Sequence, residues 1–219
     1  TLRKLASHAP GDVAFDVVDL TTNYAATYNA GVSMPAASTI KIPVMVEVFL
    51  QLANQRFDLN TEVALHDADR DWGWGELCDA PDGTKYTVST LLDKMIDDSD
   101  NTATNMLIRL VGRRNINLEM NRLGLRRTHL SVDIRTDNES VRYGLRSSPA
   151  DMVSLLSRMA RQKLVDEWSS QEMVAILEGQ EHNTLIPEPL PDNLETAHKT
   201  GPLHDTRNDG GVVHATDAP

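Results

Sequence analysis

Ser38 and Lys41 stand three positions apart in the run Ser38-Thr39-Ile40-Lys41-Ile42-Pro43. On a helix this spacing puts both side chains on one face. A serine hydroxyl is a weak nucleophile until a neighbouring base takes its proton, and a lysine can be that base once desolvation or nearby charge lowers its pKa. Pro43 dictates where such a helix begins. Its missing N–H is tolerated only among the first-turn donors that have no helical acceptor, so the helix must start at about Ser38 or Thr39. The partial positive charge of that helix end then favours an alkoxide or oxyanion at Ser38. Ser-x-x-Lys also arises by chance in many chains, so the pair gains meaning only from its companions.

The surrounding segments show how the pair is positioned. Residues 38–55 are apolar almost all round, which predicts a helix buried in the middle of the protein. Before it, Asp12 to Leu20 and Tyr24 to Ala30 read as a strand hairpin. Leu59 to Lys85, rich in Asp, Gly and Trp, has no sustained period and reads as a long connection. Helices are predicted over Val88 to Asp98, Thr102 to Val111 and Arg113 to Leu123, the last stopped by Gly124. Leu130 to Ser147 reads as a polar loop. A helix opens at Pro149, with Met152, Leu155, Leu156 and Met159 on one face, and another covers about Ser170 to Leu177. Leu194 to Thr200 and Gly210 to Thr216 are extended. Strands at both ends with helices between predict an α+β fold of two lobes, with one antiparallel sheet built from both termini and an all-helical lobe inserted. Residues 1–37 and 193–219 would form the sheet lobe and 38–192 the helical one, with the site at their junction.

Composition narrows the function classes. The 219 residues include 21 basic and 32 acidic ones, a net charge of −11, with no Lys/Arg block, which argues against nucleic acid and anionic membranes as partners. Apolar residues at 40% and charged ones at 24% describe an ordinary soluble globular chain, large enough for one domain or two interlocked ones. No apolar run reaches the roughly 20 residues of a membrane span. Cys78 is the single cysteine, so no intrachain disulfide forms and Cys-based zinc sites are excluded. The seven histidines show no metal-binding spacing, and the expectation is that no metal or cofactor is needed. Thr1 begins the chain without a cationic-then-apolar leader, as in a processed secreted protein or a trimmed chain.

Two further motifs give the Ser-x-x-Lys pair its companions: Ser99-Asp100-Asn101 between two predicted helices, and Lys199-Thr200-Gly201 at the end of a predicted strand. Three short motifs in this order are the signature of one class of acyl-transfer enzymes. On these residues, and on Ser99 to Asn105, Ser147-Ser148-Pro149 and Ala197 to Gly201, the chain resembles the penicillin-recognising serine hydrolases, class A β-lactamases above all, over essentially its whole length. The resemblance implies that Ser38 attacks a β-lactam or acyl-D-alanyl-D-alanine-like carbonyl, with Lys41 as base or relay. It implies that Ser99 and Asn101 line the opposite wall, contacting Lys41 and the substrate amide. Lys199, Thr200 and Gly201 would hold the substrate, its carboxylate on Lys199 and Thr200, with Arg207 as a second positive charge. It further implies a periplasmic or secreted protein.

Three departures stand out. The glutamate that deacylates class A β-lactamases, in Glu-x-x-Leu-Asn, has no counterpart, and Glu139 is the only glutamate in the Leu130–Ser147 loop, either as replacement base or as a solvated carboxylate. Pro202 stands where the family places an oxyanion-hole N–H, which proline lacks. Third, the family continues beyond this point with another strand and a helix, so the sheet edge is expected to be exposed, with self-association or a missing C-terminal segment as the readings. Trp72 and Trp74 are either a substrate-stacking rim or a hydrophobic lid. His198 should point away from Lys199, to the other face of the strand. The functional expectation is a serine hydrolase with slow turnover. The alternatives are a D-alanyl-D-alanine peptidase or esterase, or a protein that binds or is acylated without turnover.

Overall fold

The computed structural model describes residues 1–136 and 143–215. Helix α1 spans Leu2–His8, followed by strands β1 (Phe15–Val18), β2 (Ala25–Tyr28) and β3 (Met34–Pro35). A 3₁₀ turn, Ala37–Ile40, runs into α2 (Lys41–Ala53). Then come β4 (Glu62–Ala64), β5 (Lys85–Thr87), α3 (Val88–Ile96), α4 (Asn101–Val111), α5 (Arg113–Arg122), β6 (His129–Leu130) and β7 (Leu145–Ser147). The chain continues through α6 (Pro149–Ala160), α7 (Glu167–Glu178), β8 (Glu195–Leu203) and β9 (Thr206–His214).

α2 is the centre of the molecule, as its all-round apolar sequence requires. Ile42, Val44, Met45, Val46, Val48 and Phe49 are fully buried, each contributing about 1.5–3 kcal/mol. Pro43 is its third residue, among donors without helical acceptors. The neighbouring helices are started by side chains that accept first-turn N–H groups: Thr87 for α3, Asp100 for α4, Ser148 for α6 and Asp166 for α7. Each such cap is worth about 1 kcal/mol. The Asp100 cap lies in the turn between α3 and α4, directly after Ser99.

The α+β architecture holds, with a difference in the sheet. Among the described residues β1 pairs only with β2, and β8 only with β9, in two antiparallel hairpins and not one continuous sheet. Both hairpins rest on α6, so side-chain packing on a shared helix connects them where a backbone ladder was expected. The stretch Leu59–Lys85 is also more ordered than its sequence suggests, with β4 and β5 paired and two 3₁₀ turns, Asp67–Asp69 and Leu77–Asp79. β3, β7 and β6 form a further small sheet at the ends of the loop read as irregular. Strands of two or three residues are too short to show a period of two. Among the described residues no helix is long and apolar enough to cross a membrane.

Candidate active site

The nucleophile candidate sits on a strained turn. Ala37, beside it, has φ +48°, a left-handed conformation uncommon for residues with a Cβ. Thr39 holds the turn closed, with both its N–H and its hydroxyl donating to the Ala36 carbonyl at 3.2 and 2.6 Å. Ser38 is thus fixed at the entrance to α2, one turn ahead of Lys41.

Lys41 is fully buried. Its Nζ donates to the Ser99 carbonyl at 2.5 Å, the Ser99 hydroxyl at 2.9 Å and Asn101 Oδ1 at 2.8 Å. Burial pushes its pKa well below the usual lysine value, the Lys199 charge lowers it further, and Asp100 and Asp71 oppose the fall. Deprotonated, Lys41 keeps two N–H groups for the two acceptors that cannot donate, the Ser99 carbonyl and Asn101 Oδ1. Its lone pair then faces the one group that can, the Ser99 hydroxyl. The cluster can therefore hand a proton between Lys41 and Ser99 without moving a heavy atom.

The third motif closes the cleft from the other side. Gly201 abuts the serine turn: a Cβ there would lie 3.0 Å from the Ala36 carbonyl oxygen and 3.1 Å from the Ser38 and Thr39 nitrogens. A side chain there would force the serine turn or β8 to give by a few tenths of an ångström. Asn208, opposite Gly201 in the hairpin, fastens it by donating to the Pro35 carbonyl at 2.7 Å. Lys199 lies two residues before Gly201 on the same strand face, fully buried, with no hydrogen-bond partner for Nζ among the described residues. Burial lowers its pKa to about 7, against the pull of Asp209 and Asp97. Thr200 is buried next to it. A buried, unpaired cation suits an incoming carboxylate.

Pro202 continues β8 opposite Arg207. A proline inside a two-stranded ladder turns its nitrogen away from the partner strand, here toward the edge that packs on the serine turn. The missing N–H is thus missing on the cleft side. Arg207 itself is exposed and donates to the Leu203 and Thr206 carbonyls at 2.7 and 3.1 Å, closing its own hairpin turn. The structure brings Lys41, Ser99 and Asn101 into direct contact and sets Gly201 against Ser38, whereas the Arg207 guanidinium is engaged at the far end of the hairpin. Glu139 lies outside the described residues. His198 is on the face of β8 opposite Lys199, held by Asp209 at 3.0 Å and Asn183 at 3.1 Å. Trp72 and Trp74 are exposed, Trp74 edge-on to His182 with ring centroids 5.6 Å apart. No cluster of potential metal ligands occurs among the described residues.

The sequence pointed to Trp72 and Trp74 but not to the clamp that Asp71, Gly73 and Gly75 form around them. Gly73 admits Thr136 and Gly75, at φ +95°, admits Asp100, since a Cβ at either place would overlap those side chains. Asn101 N–H donates to the Trp74 carbonyl at 3.0 Å. The alternation of glycine with tryptophan was the available signal.

Comparison with known proteins places the fold and the family. The family model described as "Beta-lactamase enzyme family" matches residues 1–219. The β-lactamase from Sphaerobacter thermophilus superposes with a TM-score of 0.88 at 29% identity, covering 96% of this chain and 80% of that one. PBP-A superposes with a TM-score of 0.89 at 25% identity, covering 98% and 80%. A PBP-A mutant solved as an acyl-enzyme complex with penicillin G gives 0.88 at 26%, with the same coverage. No curated protein sequence matches the chain. With the family model spanning all three motifs and the folds superposing across nearly the whole chain, the protein belongs to the β-lactamase enzyme family.

Proposed function

We propose that this protein is a serine hydrolase acylated at Ser38 by β-lactams, and that it hydrolyses the acyl-enzyme slowly. The observation that carries the proposal is the buried Lys41 amino group, with its pKa lowered and its nitrogen within 2.9 Å of the Ser99 hydroxyl. Lys41 takes the proton of Ser38 as Oγ attacks the lactam carbonyl, and Ser99 delivers a proton to the departing lactam nitrogen as the C–N bond breaks. Lys199 and Thr200 hold the substrate carboxylate, and the Ser38 N–H polarises the carbonyl. A relative captured as a penicillin G acyl-enzyme supports this class of substrate.

A second reading, a penicillin-binding protein that keeps its acyl group, draws on two observations. Pro202 removes one oxyanion donor, a loss worth about 10²–10³ in rate in other acyl-transfer enzymes. Within the described part of the 130–147 loop the only carboxylate is Asp133, which is engaged by Arg113 at 2.9 Å. A chromogenic cephalosporin followed by colour and by intact mass separates the readings. Sustained hydrolysis is the expected result. A stable mass increase that disappears in Ser38→Ala supports the second reading, and neither signal defeats both.

A further inference from the structure

Among the described residues, Asp71 is a buried carboxylate held by hydrogen-bond donors alone. It is 4% exposed, and among the described residues no cation forms an ion pair with it. Its oxygens accept Asn101 Nδ2 at 2.8 Å, Gly73 N–H at 3.1 Å, Thr136 N–H at 2.7 Å and the Thr136 hydroxyl at 3.1 and 3.2 Å. Its own N–H donates to Thr102 Oγ1 at 3.0 Å. Burying a charge on donors alone is costly, so a role for the charge is expected. The chemistry of the three groups in line supplies one. An ionised carboxylate only accepts, and a carboxamide has one donating and one accepting end. Asp71 therefore forces the amide nitrogen of Asn101 toward itself and the oxygen toward Lys41, where it accepts at 2.8 Å.

Resting on the proposed acyl transfer, we infer that Asp71 is a positioning residue of the site. It locks the Asn101 carboxamide so that Oδ1 stays on Lys41, and it ties this wall of the cleft to Thr136. The charged groups around Lys41 are Lys199 on β8, Asp100 at the start of α4 and Asp71 itself, while Asp97 at the end of α3 and Asp209 on β9 act on Lys199. Asp71 favours the ammonium form of Lys41. Without its charge Lys41 loses its proton more readily, and a flipped Asn101 would present N–H groups to Lys41 and push the same way.

The test compares the parent with Asp71→Asn and Thr136→Val. Two quantities are followed from pH 5 to 9: the second-order rate of acylation by penicillin G, read by intact mass, and the titration of Lys41, read by NMR on [¹³Cε]lysine-labelled protein. Asp71→Asn is expected to acylate at least about 10-fold more slowly at its plateau, through misplacement of the wall. It should also move the acidic limb of the rate profile and the Lys41 titration to lower pH by about one unit. Thr136→Val, which keeps the Asp71–Asn101 bond, should leave the Lys41 titration where it is. An unchanged titration and rate profile in Asp71→Asn, or a change in thermal stability alone, overturns the inference. If Asp71→Asn does not fold, the parent decides: slow exchange of one Asn101 Nδ2 proton supports the lock, and exchange of both at the solvent rate overturns it. If the parent is not acylated, the proposed function falls, and the Lys41 titration still judges Asp71.

Discussion

Ser99 offers Lys41 both of its oxygens, the carbonyl at 2.5 Å and the hydroxyl at 2.9 Å, from a backbone held at φ +59°. A left-handed residue with a side chain stores about 1–3 kcal/mol and persists only where its surroundings impose it. Here the constraint is the Asp100 cap. Its carboxylate accepts Ala103 N–H at 2.8 Å to start α4 and Leu77 N–H at 2.9 Å from the tryptophan loop, while the Asp100 N–H donates to the Lys94 carbonyl at 2.9 Å. Three segments fix the residue before which Ser99 must turn.

Replacing the base should separate reactivity from folding. Lys41→Met is expected to lower acylation of Ser38 by about 10²–10⁴, while the fold, relieved of a buried amine, melts no earlier than the parent at neutral pH. Intact mass after incubation with penicillin G and a thermal melt give the two numbers. Acylation at the parent's rate would remove Lys41 from its role.

Pro202→Ser restores a backbone N–H on the cleft side of β8. Acylation should accelerate by about 10-fold or more, short of the full value of an oxyanion donor. A rate no better than the parent's in stopped-flow acylation would mean that Pro202 is not the defect.

Gly201→Ala puts a methyl group against three backbone atoms of the serine turn, none of which is the end of a flexible side chain. The hairpin must shift, at about 1–3 kcal/mol. Acylation should drop at least about 10-fold. Denaturant unfolding and acylation rates together report this, and a variant equal to the parent in both would show that β8 has room to spare.

Lys199 should make substrate affinity depend on pH. With its pKa near 7 it is losing its charge through the neutral range, so the affinity for a carboxylate-bearing β-lactam should weaken on the alkaline side, by up to about tenfold per pH unit. The dissociation constant of penicillin G for Ser38→Ala, measured from pH 6 to 9, gives the slope. Lys199→Arg, with a permanent charge, should flatten it.

Asp97 and Lys199 should each leave a limb on the dependence of stability on pH. The Asp97 carboxyl is raised to about 7, mainly by burial and then by Asp93, Asp98 and Glu181. A carboxyl with a folded pKa above its unfolded one contributes fully below about pH 4 and loses that contribution as pH rises toward 7. Lys199 works the other way. Its folded pKa lies below the unfolded value of 10.5, so its contribution is absent at pH 7 and grows toward pH 10. Melting temperature against pH, taken as the difference from the parent, isolates each limb: Asp97→Asn should differ from the parent increasingly between about pH 4 and 7, and Lys199→Met between about pH 7 and 10. Differences independent of pH would contradict the assignments.

The parts of this site legible in the sequence are those set by local rules. The all-apolar run located the central helix, whose α-helical part opens at Lys41 behind a 3₁₀ turn and not at Ser38 or Thr39 as Pro43 suggested, and Ser148-Pro149 and the periodic residues after it located α6. What stayed hidden depends on contacts between remote segments. The Asp71 clamp joins residues 30 and 65 positions apart, and in sequence Asp71 is one of many aspartates in an aperiodic stretch. β4 and β5 exist because they pair with each other, not because three residues announce a strand. Arg207 shows the reverse: its place in Thr206-Arg207-Asn208-Asp209 suggested a second cation for the substrate, while its nearest acceptors are the carbonyls of its own turn.

Enclosure of the first nine residues of α2 has a consequence for how substrate is accommodated. A helix whose first nine residues, Lys41 to Phe49, are all buried cannot roll or slide without opening the interior, so the 3₁₀ turn that carries Ser38 rests on a fixed base. Adjustment to different acyl groups then falls to the hairpin bearing Lys199 and to the tryptophan-bearing loop, and reactivity toward every substrate should vanish at one common temperature, that at which the interior melts.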